Sequence, residues 1–344
     1  MYLGFLKEFL FHPDEEHIIN KSVNIRGHEV LLLSFTKENN RGSLWVINKR
    51  DLPEKALYEL EFNSRRDDML YHIESKNRNS LFFINKMEMQ GMIIEFDSCS
   101  YYYFDDYNIH SIIKLLHFVE LGLIPDEWDD LELENLVIVE YKEKEGDTAP
   151  NIDEAKNPSI TLHIGRDVKQ VPILHSFKTK IGEFGPGEKI AYYDKELGKE
   201  AFFYINKVGY YDIYKDIEDK VKIIEDVKER ERILNDLIKG LENYCPRDKN
   251  LAFIEYETED GTQLEFYLKD YLDSRPAVQV YDETVIGRSV GFGFIAKPDR
   301  EKGINGHKLR VCIMQPVDKD FSGELEIELF SRYQEILEEV VIVS

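Results

Sequence analysis

The residues best suited to chemistry by type and spacing lie near the end of the sequence. Ser289 is the centre of a Gly-x-Ser-x-Gly segment, the spacing of a nucleophile elbow, and Asp299 and His307 follow it in the order of a hydrolase triad. An elbow needs a strand before the serine and a helix after it. The sequence after Gly291 is typical of a strand, so we expect these three residues to belong to the scaffold. A hydrolase using Ser289 with His307 stays the alternative function.

Aromatic rings next to carboxylates form the second group of candidate residues. Tyr103, Asp105 and Asp106 end an aromatic run directly before a predicted helix. Rings stack on sugars or cations and carboxylates accept hydrogen bonds, so the combination is typical of a sugar or cationic-peptide site. Acids at a helix start are also stabilised by the helix dipole without binding anything, and we favour that structural interpretation. A metal held by Asp105 and Asp106 is the second form of the hydrolase alternative.

A comparable acidic and aromatic loop follows Pro125. It contains Trp128, Asp129 and Asp130. Opposite charges steer association between proteins. We therefore predict that this loop forms the rim of a site for a basic protein partner, and we count it with the aromatic run as the predicted binding residues.

The spacing of histidines and cysteines predicts no metal site and no cofactor. His12 and His17 are five apart with a proline between them, whereas a helical zinc pair needs a spacing of about four. Cys99, Cys245 and Cys312 are odd in number and far apart, so they predict neither a zinc knuckle nor a disulfide framework. Cysteines used in this way indicate a reducing compartment, and we expect a cytoplasmic protein.

The charge balance narrows the classes of partner. The chain carries 67 acidic and 44 basic side chains, a formal net charge of −23 at pH 7. A field of this sign repels phosphate backbones and anionic membranes, which argues against direct nucleic-acid binding. No apolar run approaches the about eighteen residues that a membrane span requires. The charge fits simple solubility, a basic protein partner or mimicry of nucleic acid, and solubility is the plainest of the three.

A repeated segment identifies the elements that must position these residues. Residues 40–49 and 77–86 are identical at seven of ten positions, and the end of the segment recurs at 201–207. Each copy begins with asparagine-rich residues that tolerate the left-handed conformation of a tight turn, and an apolar run stands on both sides. We therefore predict two β-hairpins, with turns near residues 40–42 and 77–79.

A longer correspondence indicates a duplication. Residues 136–146 resemble 251–261, and each stretch follows an amphipathic helix and, before that, a hairpin ending in Ile-Asn-Lys. We predict a tandem duplication in which residues 65–148 and 185–262 superpose as hairpin, helix and strand. The alternative is that two unrelated segments share ordinary strand chemistry.

The predicted fold is α+β, with antiparallel β-hairpins packed with amphipathic helices in two related subdomains. The expected domains are 1–150, with two hairpin repeats, and 151–344, with a long helix and a C-terminal hairpin extension; the boundary lies in a polar stretch with two prolines. Helices are predicted at 108–121, where Asn108 caps the start, at 213–241 and around 333–339. Asp260-Gly261 predicts a hairpin turn.

These observations predict a non-enzymatic, cytoplasmic interaction protein of inhibitor or immunity type. They rest on the acidic charge, the duplicated scaffold and the lack of a complete catalytic constellation in the sequence. A hydrolase would instead gather its polar groups in a concave pocket. The position of those groups therefore separates the two functions.

Overall fold

The computed structural model describes residues 10–51, 61–79, 81–104, 108–147, 149–153, 159–276, 279–281, 285–287 and 297–343. In these residues the strands and helices follow the order β1 (Glu15–Ile25), β2 (His28–Glu38), β3 (Arg41–Lys49), α1 (Arg65–Arg78), β4 (Ile84–Met89), β5 (Met92–Tyr103), α2 (Ile109–Glu120), β6 (Leu136–Glu143), β7 (Ile160–Ile164), β8 (Asp167–Lys180), β9 (Gly182–Asp194), β10 (Lys199–Tyr211), α3 (Ile213–Val221), α4 (Val227–Glu242), β11 (Lys249–Glu257), β12 (Gln263–Leu268), α5 (Lys269–Asp273), β13 (Gln279–Tyr281), β14 (Val285–Gly287), β15 (Leu309–Asp318), β16 (Glu324–Ile336) and β17 (Glu339–Val343). Strands account for 50% of the described residues and helices for 21%, so the fold is mixed and rich in sheet.

Contacts divide the chain into two compact units that interleave in sequence. Unit 1 comprises Met1–Glu54, Ser75–Asp167 and Glu335–Ser344, and unit 2 comprises Lys55–Glu74 and Val168–Gln334. A division by contacts does not show that either part folds on its own. The expected domains 1–150 and 151–344 therefore stay a prediction.

Unit 1 is built on one antiparallel sheet with the strand order β1-β2-β3-β6-β5-β4-β7-β17. Strands β1 and β17 also contact each other, so the sheet is nearly closed into a barrel. Alternate residues of β3 point to opposite faces: Leu44 and Val46 pack in one core, and Trp45 and Ile47 pack in another beneath α2. Because both faces of β3 are covered, residues 44–47 of the repeated segment are all apolar.

Helix α2 begins and ends as its sequence predicts. The Asn108 side chain accepts a hydrogen bond from the backbone N–H of His110 at 3.1 Å, and Gly122 after the helix has a φ of 67°, in the left-handed region. One residue of α2 is enclosed by rings: the Lys114 ammonium lies 4.6 Å from the ring centroid of Trp45 and 4.8 Å from that of Tyr102. The predicted helix at 108–121 is confirmed.

The core of unit 2 lies between two facing sheets, and β13 and β14 form a separate two-stranded sheet. The four-stranded sheet has the order β15-β11-β10-β9 and the three-stranded sheet the order β12-β16-β8. Phe203 and Ile254 from the first sheet pack with Phe266 and Leu329 from the second. A buried ion pair adds to this core, because the Arg332 guanidinium donates to Asp194, which is fully buried.

The first predicted hairpin is confirmed and the second is wrong. Strands β2 and β3 pair across Asn39 and Asn40, which have φ values of 51° and 64°. The apolar residues before the second turn lie in helix α1 instead of a strand. Ser64 accepts a hydrogen bond from the backbone N–H of Asp67 at 3.1 Å, and the acids of the first turn match the helix dipole. These local helix signals outweigh the resemblance to the first hairpin.

Three smaller predictions also need correction. The helix predicted at 213–241 is two helices, α3 and α4, because Asp226 accepts from the backbone N–H of Glu229 and starts a new helix. The stretch around 333–339 is not helical but belongs to β16 and β17, which pair with β12 and β7. The turn at 260–261 joins strands β11 and β12 of different sheets, so it forms no hairpin.

The predicted duplication is not shown, although one part of its pattern is present. Hairpin, helix and strand occur in order as β4-β5, α2 and β6, and again as β9-β10, two helices and β11, and each last strand lies beside the second hairpin strand. The shared Ile-Asn-Lys segment does not occupy equivalent places. Residues 84–86 start the first strand of one hairpin, whereas 205–207 lie in the second strand of the other.

Candidate functional site

Two features of the described residues are candidates for function, a loop in unit 1 and a cavity in unit 2. The loop, which we call the acidic loop, spans residues 126–134. Short 3-10 turns at Asp126–Trp128 and Leu133–Asn135 shape it. Its backbone is bonded internally, since Trp128 N–H donates to Pro125 O at 2.9 Å and Leu131 N–H donates to Trp128 O at 3.0 Å. The loop therefore has a defined conformation.

Trp128 anchors the acidic loop to the core. Only 4% of this residue is exposed, and it packs with Leu123 and Leu136. The Lys49 ammonium lies 4.5 Å from its ring centroid, and among the described residues its indole N–H has no hydrogen-bond acceptor. Trp128, predicted from the sequence as part of a binding rim, thus supports the loop from below.

The carboxylates of the acidic loop face outwards. Asp129 and Asp130 are exposed, as are the loop's other acids, Asp126, Glu127, Glu132 and Glu134. In the part of the chain that the structure describes, none of these six carboxylates forms an ion pair. The loop therefore presents six exposed carboxylates, with Arg50 at its edge donating to the Glu134 backbone oxygen.

Tyr103 lies at the end of β5, and Arg50 links it to the acidic loop by donating to the Glu134 backbone oxygen at 3.4 Å. Its ring already contacts a cation of this chain, because the guanidinium carbon of Arg50 lies 4.7 Å from the ring centroid, and it stacks on Tyr101 at 6.2 Å. Asp105 and Asp106 lie outside the described residues. The sugar or cationic-peptide site predicted around Tyr103 stays a prediction.

The cavity of unit 2 has a volume of about 1030 Å³ and is lined by strands β12 and β15 and by residues 297–302. Both strands are at the edge of their sheets and contact each other, so the cavity lies along the two edges. Arg310 holds the two edges together at one end, since its guanidinium donates to Gly261 O at 2.7 Å. At the other end, Leu268 N–H donates to the Gln315 side chain at 2.7 Å.

The carboxylate of Glu265 organises one wall of the cavity. It accepts hydrogen bonds from the hydroxyls of Tyr267, at 2.6 Å, and Tyr333, at 3.1 Å, and further donors are Gln170 and Ser331. Burial and the neighbouring Glu265 charge raise the pKa of both tyrosines. Four donors satisfy the carboxylate. Both tyrosine O–H groups are engaged as donors to it.

Cys312 contributes a thiol to the cavity wall. Burial raises the pKa of this thiol to about 12. The thiolate is the nucleophilic form of cysteine, so the thiol is unreactive at neutral pH. Cys312 acts as a small apolar wall residue.

The segment that forms the cavity rim is fixed by a buried carboxylate. Glu257 is fully buried and accepts from the backbone N–H groups of Asn305 at 3.0 Å and His307 at 2.8 Å. The Asn206 side chain donates to it at 2.7 Å. A Cβ at Gly303 would approach the Glu257 carboxyl carbon to 2.2 Å, so only glycine fits there.

The structure describes two of the three sequence-based catalytic candidates, Asp299 and His307. Asp299 lines the cavity, whereas the His307 ring stacks on Tyr204 at 6.1 Å. Ser289 lies outside the described residues. Among the described residues, no group of three or more potential ligands could hold a metal ion.

Apart from Asp299, sequence reasoning missed the cavity residues. Glu265 and Tyr267 alternate along one strand, which places both on one face, and this was an available signal. Their partner Tyr333 is 68 residues away in sequence. Only the fold brings it there.

The comparisons with known proteins add no functional information. No protein-family model matches the chain, and neither the curated proteins nor the solved structures contain a match. In the described part of the chain, no helix has the length and apolar character needed to cross a membrane.

Proposed function

We propose that this chain is a non-enzymatic, cytoplasmic interaction protein of inhibitor or immunity type, and that the acidic loop binds a basic protein partner. The observation that carries the proposal is the set of six exposed carboxylates within residues 126–134, none of which has an ion pair among the described residues. An acidic surface accelerates association with a basic partner and repels acidic proteins.

The structure of the loop supports this use of its charge. Trp128 is buried and the turns are internally hydrogen-bonded, so the carboxylates start from a fixed backbone. A preordered surface loses less conformational freedom on binding than a flexible acidic tail. The exposed side chain of Leu133, 41% accessible, adds an apolar contact within the charged surface.

A pair of matched variants tests the proposal. The loop variant carries Asp126→Asn, Glu127→Gln, Asp129→Asn and Asp130→Asn. The control variant carries four neutralised exposed acids of unit 2, Glu218→Gln, Glu225→Gln, Glu231→Gln and Asp236→Asn. Both variants change the net charge equally, so any difference between them reports on the loop alone.

The measurement uses a partner captured on immobilised protein from native cell lysate at low salt. We expect a basic partner whose association rate falls as ionic strength rises past about 0.15 M. The loop variant should slow its association about tenfold, and the control should leave it nearly unchanged. Capture of only neutral or acidic partners, unaffected by salt, would contradict the proposal, as would equal effects of the two variants.

The hairpin, helix and strand order gives a second, evolutionary proposal. We propose that it arose by tandem duplication, because both copies place the last strand beside the second hairpin strand. The predicted ranges 65–148 and 185–262 then narrow to 84–143 and 182–257, because residues 65–78 form helix α1 instead of a hairpin strand. The backbones of the narrowed ranges should superpose element by element. Helices or strands that diverge in direction after superposition of the hairpins would reject a common origin.

A further inference from the structure

We infer that the cavity of unit 2 binds a small amphiphilic anion, an apolar ring system or chain that carries one acidic group. This is independent of the acidic loop and concerns a different unit. The volume of about 1030 Å³ is at the upper end of the range of small-molecule sites. The ligand class follows from the contrast between the cavity wall and its rim.

The wall favours an apolar group. Tyr267 and Tyr333 line it, and both hydroxyls donate to Glu265, so they offer a ligand the parts of their rings that face the cavity. Tyr271 and Phe330 pack on the Tyr267 ring and fix its position. Glu265 has four donors and needs no ligand cation. The Cys312 thiol, kept protonated by its burial, adds a further apolar surface.

The rim favours a negative charge. The cavity lining contains five cationic side chains, Lys297, Arg300, Lys302, Lys308 and Arg310, against three acidic ones, Glu265, Asp299 and Glu301. The local balance is thus positive in a chain of net charge −23. Lys297, Lys302 and Lys308 are exposed, and none of them forms an ion pair within the described residues.

The rim is also positioned in advance. Residues 303–307 are held by the Glu257 carboxylate, and Leu309 N–H donates to Glu301 O at 2.9 Å. A ligand with its apolar part against the tyrosines would therefore place its acidic group near Lys302 and Lys308. Fixed charges of this kind select among ligands more than they add affinity.

The test compares two fluorescent probes that share one ring system. Anilinonaphthalene sulfonate carries an acidic group, and N-phenylnaphthylamine is its uncharged analogue. The rim variant is Lys297→Gln, Lys302→Gln, Lys308→Gln. The control variant removes three other exposed lysines of unit 2 that form no ion pair in the described chain: Lys195→Gln, Lys228→Gln, Lys239→Gln.

We expect saturable binding of both probes to the wild-type chain. The rim variant should raise the Kd of the sulfonate about tenfold, because each exposed charge contributes modestly, and should leave the uncharged probe unaffected. The control variant should leave both unchanged. Because all the altered lysines are exposed, neither variant is expected to disturb the fold.

Hydrogen exchange locates the bound probe without any variant. The sulfonate should slow exchange in peptides covering 263–268 and 309–315. Protection elsewhere, equal loss of sulfonate binding in the rim and control variants, or a parallel loss of the uncharged probe would overturn the inference. None of these results bears on the acidic loop, which is tested by association with a protein.

Discussion

Replacement of Glu257 by glutamine is expected to destabilise unit 2 and release the cavity rim. The Glu257 carboxylate is fully buried and accepts from two backbone N–H groups and from the side chains of Asn206 and Asn305. Burial pushes the pKa of Glu257 upwards, but the bonds from Asn305, Asn206 and His307 outweigh it and hold the pKa below its usual value.

The magnitude follows from the donors that Glu257→Gln leaves without an acceptor. The amide keeps one oxygen, which can still accept on the Asn206 side. Its NH₂ group then faces the backbone N–H of His307, donor against donor. Loss of a charge-assisted bond and an unsatisfied buried N–H each amount to about 1–3 kcal/mol. The two contributions add, so we expect the free energy of unfolding to fall by about 2–6 kcal/mol.

The assay is urea unfolding followed by circular dichroism, with hydrogen exchange of residues 300–308 as a local readout. Glu259→Gln is the control, because this acid lies two residues further along the chain and is exposed. Its effect should stay within about 0.5 kcal/mol. If Glu257→Gln were no more destabilising than Glu259→Gln, and exchange at 300–308 were unchanged, the rim would not depend on this carboxylate.

The pH dependence gives a second check on the same group. Because the folded-state pKa of Glu257 lies below its unfolded value of about 4.3, its contribution is fully present above that pH. The contribution is lost as pH falls through the folded-state pKa. The stability difference between wild type and Glu257→Gln should therefore be constant near neutrality and shrink below about pH 4.

Three further predictions concern single residues. Arg332→Met should lower the free energy of unfolding by about 3–5 kcal/mol in urea unfolding, because it leaves the Asp194 carboxylate buried without its cation; a loss under 1 kcal/mol would contradict this. Lys114→Met should change that free energy by no more than about 1 kcal/mol. Burial already lowers the pKa of this lysine despite the opposing charge of Glu140, and the unbranched thioether fits between the same rings. A loss above about 2 kcal/mol would show that the cation–ring contacts dominate. Ser289→Ala should leave every measured property intact, whereas fluorophosphonate labelling of the wild type that disappears in this variant would move Ser289 into an active site.

Local signals explain which elements could be predicted from the sequence. Helix α2 was predictable because Asn108 and Gly122 mark its ends. Helix α1 is harder to predict, because its capping residue Ser64 precedes a segment that resembles the first hairpin. The turn at 260–261 was recognised, but its chemistry does not specify which sheet each strand joins.

The two candidate sites also differ in how far the sequence predicts them. The acidic loop is contiguous, so Asp129 and Asp130 could be singled out from the sequence, whereas the burial of Trp128 depends on the neighbouring strands. The cavity depends on pairings such as Glu265 with Tyr333, which only the arrangement of two sheets creates. No short motif encodes such a site.

The interleaving of the two units has a consequence for the newly made chain. Strand β7 pairs with β17 in the nearly closed sheet of unit 1, yet all of β8 to β16 is translated between them. At about 5–20 residues per second, the roughly 180 residues from β7 to the end of β17 take roughly 10–40 s to synthesise. During that interval the ribosome-bound chain has a strand edge in β7 without its final neighbour, and such edges recruit other chains. Chaperone engagement during synthesis is therefore expected to concentrate on this strand.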